Sequence, residues 1–178
     1  KAMLLQHQVY YQREDQQRQV ARLRERYLET VRAALLHEHH LEDEARLAHL
    51  TSRAAAGRPP EARVLRDPVR HDQETYRRLL RQRTGAAGPG EGAESFLPYT
   101  AMGRTRLARL EGALDQARRE GVAGDLVECG TGRGGGAIFM RAWLDAHDEP
   151  SRRVWVADRF RAAPDGVFAS ESAMARFY

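Results

Sequence analysis

From about residue 10 to residue 50, apolar side chains return at three- and four-residue steps. Val20, Leu23, Tyr27, Val31 and Leu35 fall on one side of a helix, with glutamine, glutamate and arginine on the other faces. No glycine or proline interrupts before Gly57. The spacing predicts one long helix. Its stripe is expected to bury on the downstream domain or on a second copy of itself, because a lone amphipathic helix is not stable in water. A strict heptad is not sustained, which disfavours a long coiled coil. Gly57-Arg58-Pro59-Pro60 ends this region. A shorter helix is predicted over about 68–83, with Tyr76, Leu79 and Leu80 as its apolar side. Four glycines and a proline between Gly85 and Gly92 then mark a flexible boundary.

Beyond residue 97 the pattern changes. Leu107, Leu110 and Leu114 share a helix face over about 103–120, and Gly121 stands where a helix terminates. Asp125-Leu126-Val127-Glu128-Cys129 reads as a short strand running into glycines. A helix follows, carrying Ala137, Ile138, Met140, Arg141, Trp143 and Leu144 to about His147. Asp148 and Pro150 turn the chain into a second strand, Val154–Ala157, that ends at Asp158. Helix, strand, glycine loop, helix, strand and acid in that order predict the start of a doubly wound α/β domain. Trp143 and Trp155 are expected in the core, and Tyr10, Tyr11 and Tyr27 between helices.

Composition narrows the function classes. The 178 residues are 42% hydrophobic and 30% charged, which suits one domain, or one small domain with a helical segment. No stretch of eighteen apolar residues exists, and the first residues lack a signal-peptide core, so a cytoplasmic protein with no membrane partner is expected. Residues 1–90 hold 17 basic against 12 acidic side chains, and residues 91–178 hold 12 against 13. Because acids are interleaved throughout, no basic stripe forms and no nucleic-acid partner is expected. The lone cysteine, Cys129, has no internal disulfide partner; it reads as a small residue in a tight turn. His37, His39 and His40 cluster with Glu38 and Glu42. His39 and Asp43 have the i, i+4 spacing of helical metal ligands, yet the His-Glu-x-x-His pattern is unmet, and a solvated face is the expectation.

The chemistry-bearing stretch is Glu128-Cys129-Gly130-Thr131-Gly132-Arg133-Gly134-Gly135-Gly136. Glycines here let the backbone turn sharply and approach a ligand at a helix N-terminus. Gly130, Gly132 and Gly135 fit the dinucleotide spacing G-x-G-x-x-G. Glu128 argues for a different ligand: its charge repels a pyrophosphate and attracts the amino and sulfonium groups of S-adenosylmethionine. Asp158, at the next strand end, suits ribose hydroxyls in either ligand class. The bland alternative is a tight connection, with Glu128 a solvated edge residue and Asp158 a helix cap.

Several stretches in order carry a family resemblance: Tyr99-Thr100-Ala101-Met102-Gly103-Arg104-Thr105-Arg106-Leu107, Gly121 through Glu128, Arg133-Gly134-Gly135, Ala137 through Ala142, and Val154 through Phe160. Together they resemble the macrocin O-methyltransferase family of sugar O-methyltransferases in antibiotic biosynthesis. The resemblance implies a Rossmann-like class I methyltransferase fold with S-adenosylmethionine as cofactor. It maps cofactor contacts onto Thr100, Ala101, Glu128, Cys129, Gly130, Thr131, Gly132, Asp158, Arg159 and Phe160. It further implies magnesium (Mg2+) on acids later in the domain, a hydroxyl acceptor on a glycosylated natural product, and a homo-oligomer. The family pattern is broken where Cys129 replaces a threonine, Gly132 a tryptophan and Arg159 a serine.

The expected organisation is a helical segment over 1–84 that serves as a lid or dimerisation element, a linker over 85–96 and a cofactor-binding methyltransferase domain over 97–178. Only two strands precede Tyr178, so the sequence is expected to be part of a longer domain, with the metal ligands and much of the acceptor site beyond Tyr178. The alternative function is a non-catalytic helical interaction module on a degenerate cofactor fold. A dehydrogenase is a more distant alternative.

Overall fold

The computed structural model describes residues 2–85 and 97–158, with side chains from residue 13 onward. Most of the glycine-rich connection, the stretch 169–177, whose sequence reads as a helix, and Arg159 and Phe160 lie outside the described residues. The protein is a mixed α/β structure, mostly helical with a small parallel sheet. In chain order come α1 (Ala2–Leu35), a 3-10 turn (Glu38–His40), α2 (Leu41–Ala55), α3 (Ala62–Arg66), α4 (Pro68–His71) and α5 (Gln73–Thr84). They are followed by α6 (Arg104–Arg119), β1 (Leu126–Cys129), α7 (Gly135–Ala146) and β2 (Val154–Ala157). The strands pair in parallel, Leu126 opposite Val154 and Cys129 opposite Ala157. Parallel neighbours need a crossover, and α7 supplies it.

The most apolar helix is the most buried. Phe139, Trp143 and Leu144 of α7 have no exposed surface. Trp143, Met140 and Leu144 pack with Leu28 of α1 and Leu114 of α6, and Leu126 and Val154 of the strands close the cluster. Leu35, Leu36 and Leu107 surround Phe139 in a second cluster. Full burial of one such side chain contributes roughly 1.5–3 kcal/mol. The Trp143 indole N–H, which a core position would otherwise strand, donates to Asp115 at 3.0 Å. A third, smaller cluster joins Leu41 and Ala45 of α2 to Leu79 of α5.

The helical half corrects the sequence expectation at several points. The predicted helix over 10–50 breaks at His37, whose φ is +57°, and resumes as α2. Histidine tolerates this left-handed backbone better than most side chains, so the break carries no glycine or proline. Leu35 and Leu36, adjacent in sequence, are both buried here. The predicted stripe therefore splits. Leu35 reaches the core and Val31 packs at its edge, whereas Val20, Leu23 and Tyr27 stay exposed. The helix expected over 68–83 is two, α4 and α5. Asp67 and Asp72 begin them by accepting the Arg70 and Thr75 amides. Leu79 is buried as expected, but Leu80 is exposed.

Because His39 sits in the 3-10 turn, it does not share a continuous helix face with Asp43. His40 approaches Asp43 instead, at 3.6 Å. Trp155 is also not core. It is 53% exposed and donates its indole N–H to Asp125 at 2.7 Å. Its sheet face, shared with Val127, is uncovered among the described residues.

Polar contacts do much of the joining between helices. Arg83 of α5 pairs with Glu44 of α2, both buried. Arg32 of α1 pairs with Glu111 of α6.

Candidate functional site

β1 alternates its side chains across the sheet. Leu126 and Glu128 face α7, while Val127 and Cys129 face the uncovered side. The Cys129 side chain is exposed there, so only its backbone borders the turn that follows. The Gly130 amide donates to the Ala157 carbonyl at 2.8 Å and carries the ladder one residue further. Gly130, Gly132 and Gly134 then adopt φ of +78°, +54° and +82°, which makes the turn from strand to helix a run of left-handed steps. The Gly134 amide closes it on the Thr131 carbonyl at 2.9 Å.

The two acids converge on this turn from adjacent strands. Asp158 accepts the Gly132 amide at 3.3 Å. Glu128 accepts the Ala137 amide at 2.9 Å, in the first turn of α7. Burial pushes the Glu128 carboxyl above its ordinary value. The Ala137 amide opposes that rise, and the nearby negative charge of Asp158 adds to it. A half-buried carboxylate beside a second acid is costly alone, and a cation between them relieves both.

Residues 97–103 form the remaining wall. This segment has no regular secondary structure, yet Pro98, Thr100 and Gly103 are buried. Thr100 accepts the Met102 amide at 3.0 Å, and Arg133 of the glycine turn donates to the Pro98 carbonyl at 3.2 Å. Gly135 permits the approach: a Cβ there would collide with the Tyr99 carbonyl and the Thr100 side chain. Gly136 is constrained likewise, because a Cβ would run into the Glu128 carboxylate and meet the Met102 methyl at 3.2 Å.

The structure thus brings Thr100, Glu128, Gly130, Thr131, Gly132 and Asp158 to one edge of the sheet. Ala101 is exposed beside Thr100. Sequence reasoning missed Met102 and Arg133, and it read Gly135 and Gly136 as turn residues rather than as the seats of two neighbours. The paired glycines at the start of a helix were the available signal. Thr131 Oγ1 is buried and has no hydrogen-bond partner among the described residues. Among the described residues no group of three His, Cys, Asp or Glu side chains is placed to hold a metal ion. No helix among them is long and apolar enough to cross a membrane.

The family model for macrocin O-methyltransferase (TylF) matches residues 24–176. The chain belongs to the macrocin O-methyltransferase family. Among its relatives is the 8-demethyl-8-(2,3-dimethoxy-alpha-L-rhamnosyl)-tetracenomycin-C 4'-O-methyltransferase of Streptomyces olivaceus, 49% identical over 38% of this chain and 26% of that one. The mycinamicin III 3''-O-methyltransferase of Micromonospora griseorubida is 46% identical over 37% of this chain and 26% of that one. The demethyldecarbamoylnovobiocin O-methyltransferase of Streptomyces niveus is 36% identical over 65% and 42%. The solved structure of the O-methyltransferase NovP superposes with a TM-score of 0.50 at 27% identity, over 85% of this chain and 50% of that one. This family member therefore spans between about a quarter and a half of the relatives it matches.

Proposed function

We propose that this chain binds S-adenosylmethionine and serves an O-methyltransferase acting on a sugar hydroxyl of a natural product. One observation carries this: Glu128 and Asp158 flank a single glycine turn at the C-terminal ends of two parallel strands. That is the edge at which open α/β sheets bind ligands. β1, α7 and β2 are proposed as the first unit of a Rossmann-like class I sheet, within a donor-binding unit over 97–178. The segment over 1–84 is proposed as its cover.

The residues present suit this donor. Among the described residues, the glycine turn leaves open space over Gly130, Gly132 and Gly134. Two carboxylates offer the charge that a sulfonium and an ammonium require. When bound, the donor supplies an electrophilic methyl group on sulfur. The chain's own task is positional: Glu128 and Asp158 attract and orient, and the 97–103 segment walls off one side. Magnesium finds no ligand set among the described residues. The relatives' names support the acceptor class, since one names a rhamnosyl tetracenomycin.

Calorimetric titration tests the proposal. The intact protein is expected to bind S-adenosylmethionine, and Glu128→Gln and Asp158→Asn are each expected to weaken it by about tenfold, the worth of one charge-assisted hydrogen bond. Preference for NAD over S-adenosylmethionine, or no binding of either at millimolar ligand, would overturn it.

A further inference from the structure

The donor-site wall at 97–103 has no regular secondary structure, so something outside it fixes its position. Its N-terminal part is held by two neighbours. The Tyr99 amide donates to the Leu35 carbonyl at the end of α1, at 2.8 Å, and Arg133 holds the Pro98 carbonyl. Its C-terminal part runs into Arg104, the first residue of α6. A cation there opposes the helix dipole, whose positive end it shares. Arg104 is therefore poorly explained by α6 alone.

The guanidinium turns away from α6 and grips two acids of the helical segment. Its Nε and Nη2 donate to the two carboxylate oxygens of Glu38, at 2.6 and 2.5 Å, in a two-pronged pairing. Nη2 also reaches Glu29 of α1 at 2.6 Å. Glu29 in turn accepts from Arg32, which pairs with Glu111 of α6. Glu38 lies in the turn that begins at His37, the left-handed residue that breaks the long helix. Arg104 thus ties the bend of the helical segment to the end of the donor-site wall. Its side chain is 35% exposed and that of Glu38 21%, so the pair is partly shielded from water.

We infer that Arg104 is a positioning residue: its fork onto Glu38 and Glu29 locks the 97–103 segment against Gly135, so that the bend of the helical segment sets the shape of the donor site. Resting on the donor-site reading above, this extends it to a residue that touches neither acid of the glycine turn. It predicts that the helical segment tunes donor affinity from a distance. Lysine keeps the charge but loses the fork, so it restores only part of the effect.

The test compares Arg104→Met, Arg104→Lys and Glu38→Gln with the unaltered chain. Donor affinity, amide hydrogen exchange at residues 99–103 and the thermal midpoint are read together. Arg104→Met is expected to weaken S-adenosylmethionine binding by about tenfold and to speed exchange at 99–103, with exchange in α7 unchanged. Glu38→Gln is expected to act in the same direction, and Arg104→Lys to fall between. Affinity within about twofold of the unaltered chain, with unchanged exchange at 99–103, would overturn the inference. If Arg104→Met does not fold, Glu38→Gln decides by the same criteria. If the unaltered chain binds no donor, the site assignment fails, and exchange at 99–103 alone then decides the role of Arg104.

Discussion

The helical half and the α/β half of this protein are held by different forces. In the α/β half, α7 packs Phe139, Trp143 and Leu144 with no surface exposed, and Leu126 and Val154 of the strands close over the Trp143 and Leu144 cluster. In the helical half, the third apolar cluster is small and sits beside the buried pair of Arg83 with Glu44, and further charged pairs join this half to α6: Arg32 with Glu111, and Arg104 with Glu29 and Glu38. Apolar packing is non-directional and gives a body that tolerates small shifts. Paired charges are directional and fix one arrangement at the cost of desolvation. The directional pairs at the junction of the two halves adjoin the 97–103 segment, which runs into Arg104.

The largest effect is expected at Trp143→Ala, which empties the α7 core and should cost about 3–5 kcal/mol in denaturant unfolding. Arg83→Met is expected to come close, at about 3–5 kcal/mol, because it leaves Glu44 buried without its guanidinium, which the His37 ring 3.9 Å away does not replace. A double change of both to apolar residues should recover most of that loss. If it does not, the pair contributes more than mutual compensation.

Glu128→Gln is expected to separate binding from folding. Its carboxyl is held above the ordinary value, so the charged form costs the empty fold stability. The stability of the protonated form is present below the unfolded value near 4.5 and is lost as pH rises through the raised folded value. Neutral glutamine should therefore leave the thermal midpoint unchanged or raise it, while donor affinity falls. Donor affinity should likewise fall on acidification, beginning at higher pH than an ordinary glutamate would give. The smallest effect is expected at Leu23→Ser on the exposed part of α1, within about 0.5 kcal/mol in the same unfolding assay. A larger loss would mean that this stripe is covered in solution, as a homo-oligomer would require.

The two halves also differed in how much of them was legible. In the α/β half the glycine run and the short apolar strands bounded the elements closely, and β2 lies where the spacing put it. Glu128 and Asp158 could be placed together because strand ends in a parallel sheet share an edge. In the helical half the break at His37 was not legible, since a left-handed histidine leaves no compositional mark. The splitting of 68–83 had a mark, Asp67 and Asp72, but periodicity masked it. Thr100 was reached by family resemblance, not by pattern. Its approach to Gly135 joins residues distant in sequence through a segment without periodicity. Trp155 was misplaced because a large apolar side chain on a strand can face either side, and its indole found Asp125 on the open face.

A structure of the intact protein with S-adenosylhomocysteine bound would show where the donor sits. The ligand is expected over Gly130–Gly134, bracketed by the Glu128 and Asp158 carboxylates and bordered by Thr100. A ligand seated on the Val127 and Trp155 face of the sheet, or in a place touching neither carboxylate, would contradict it.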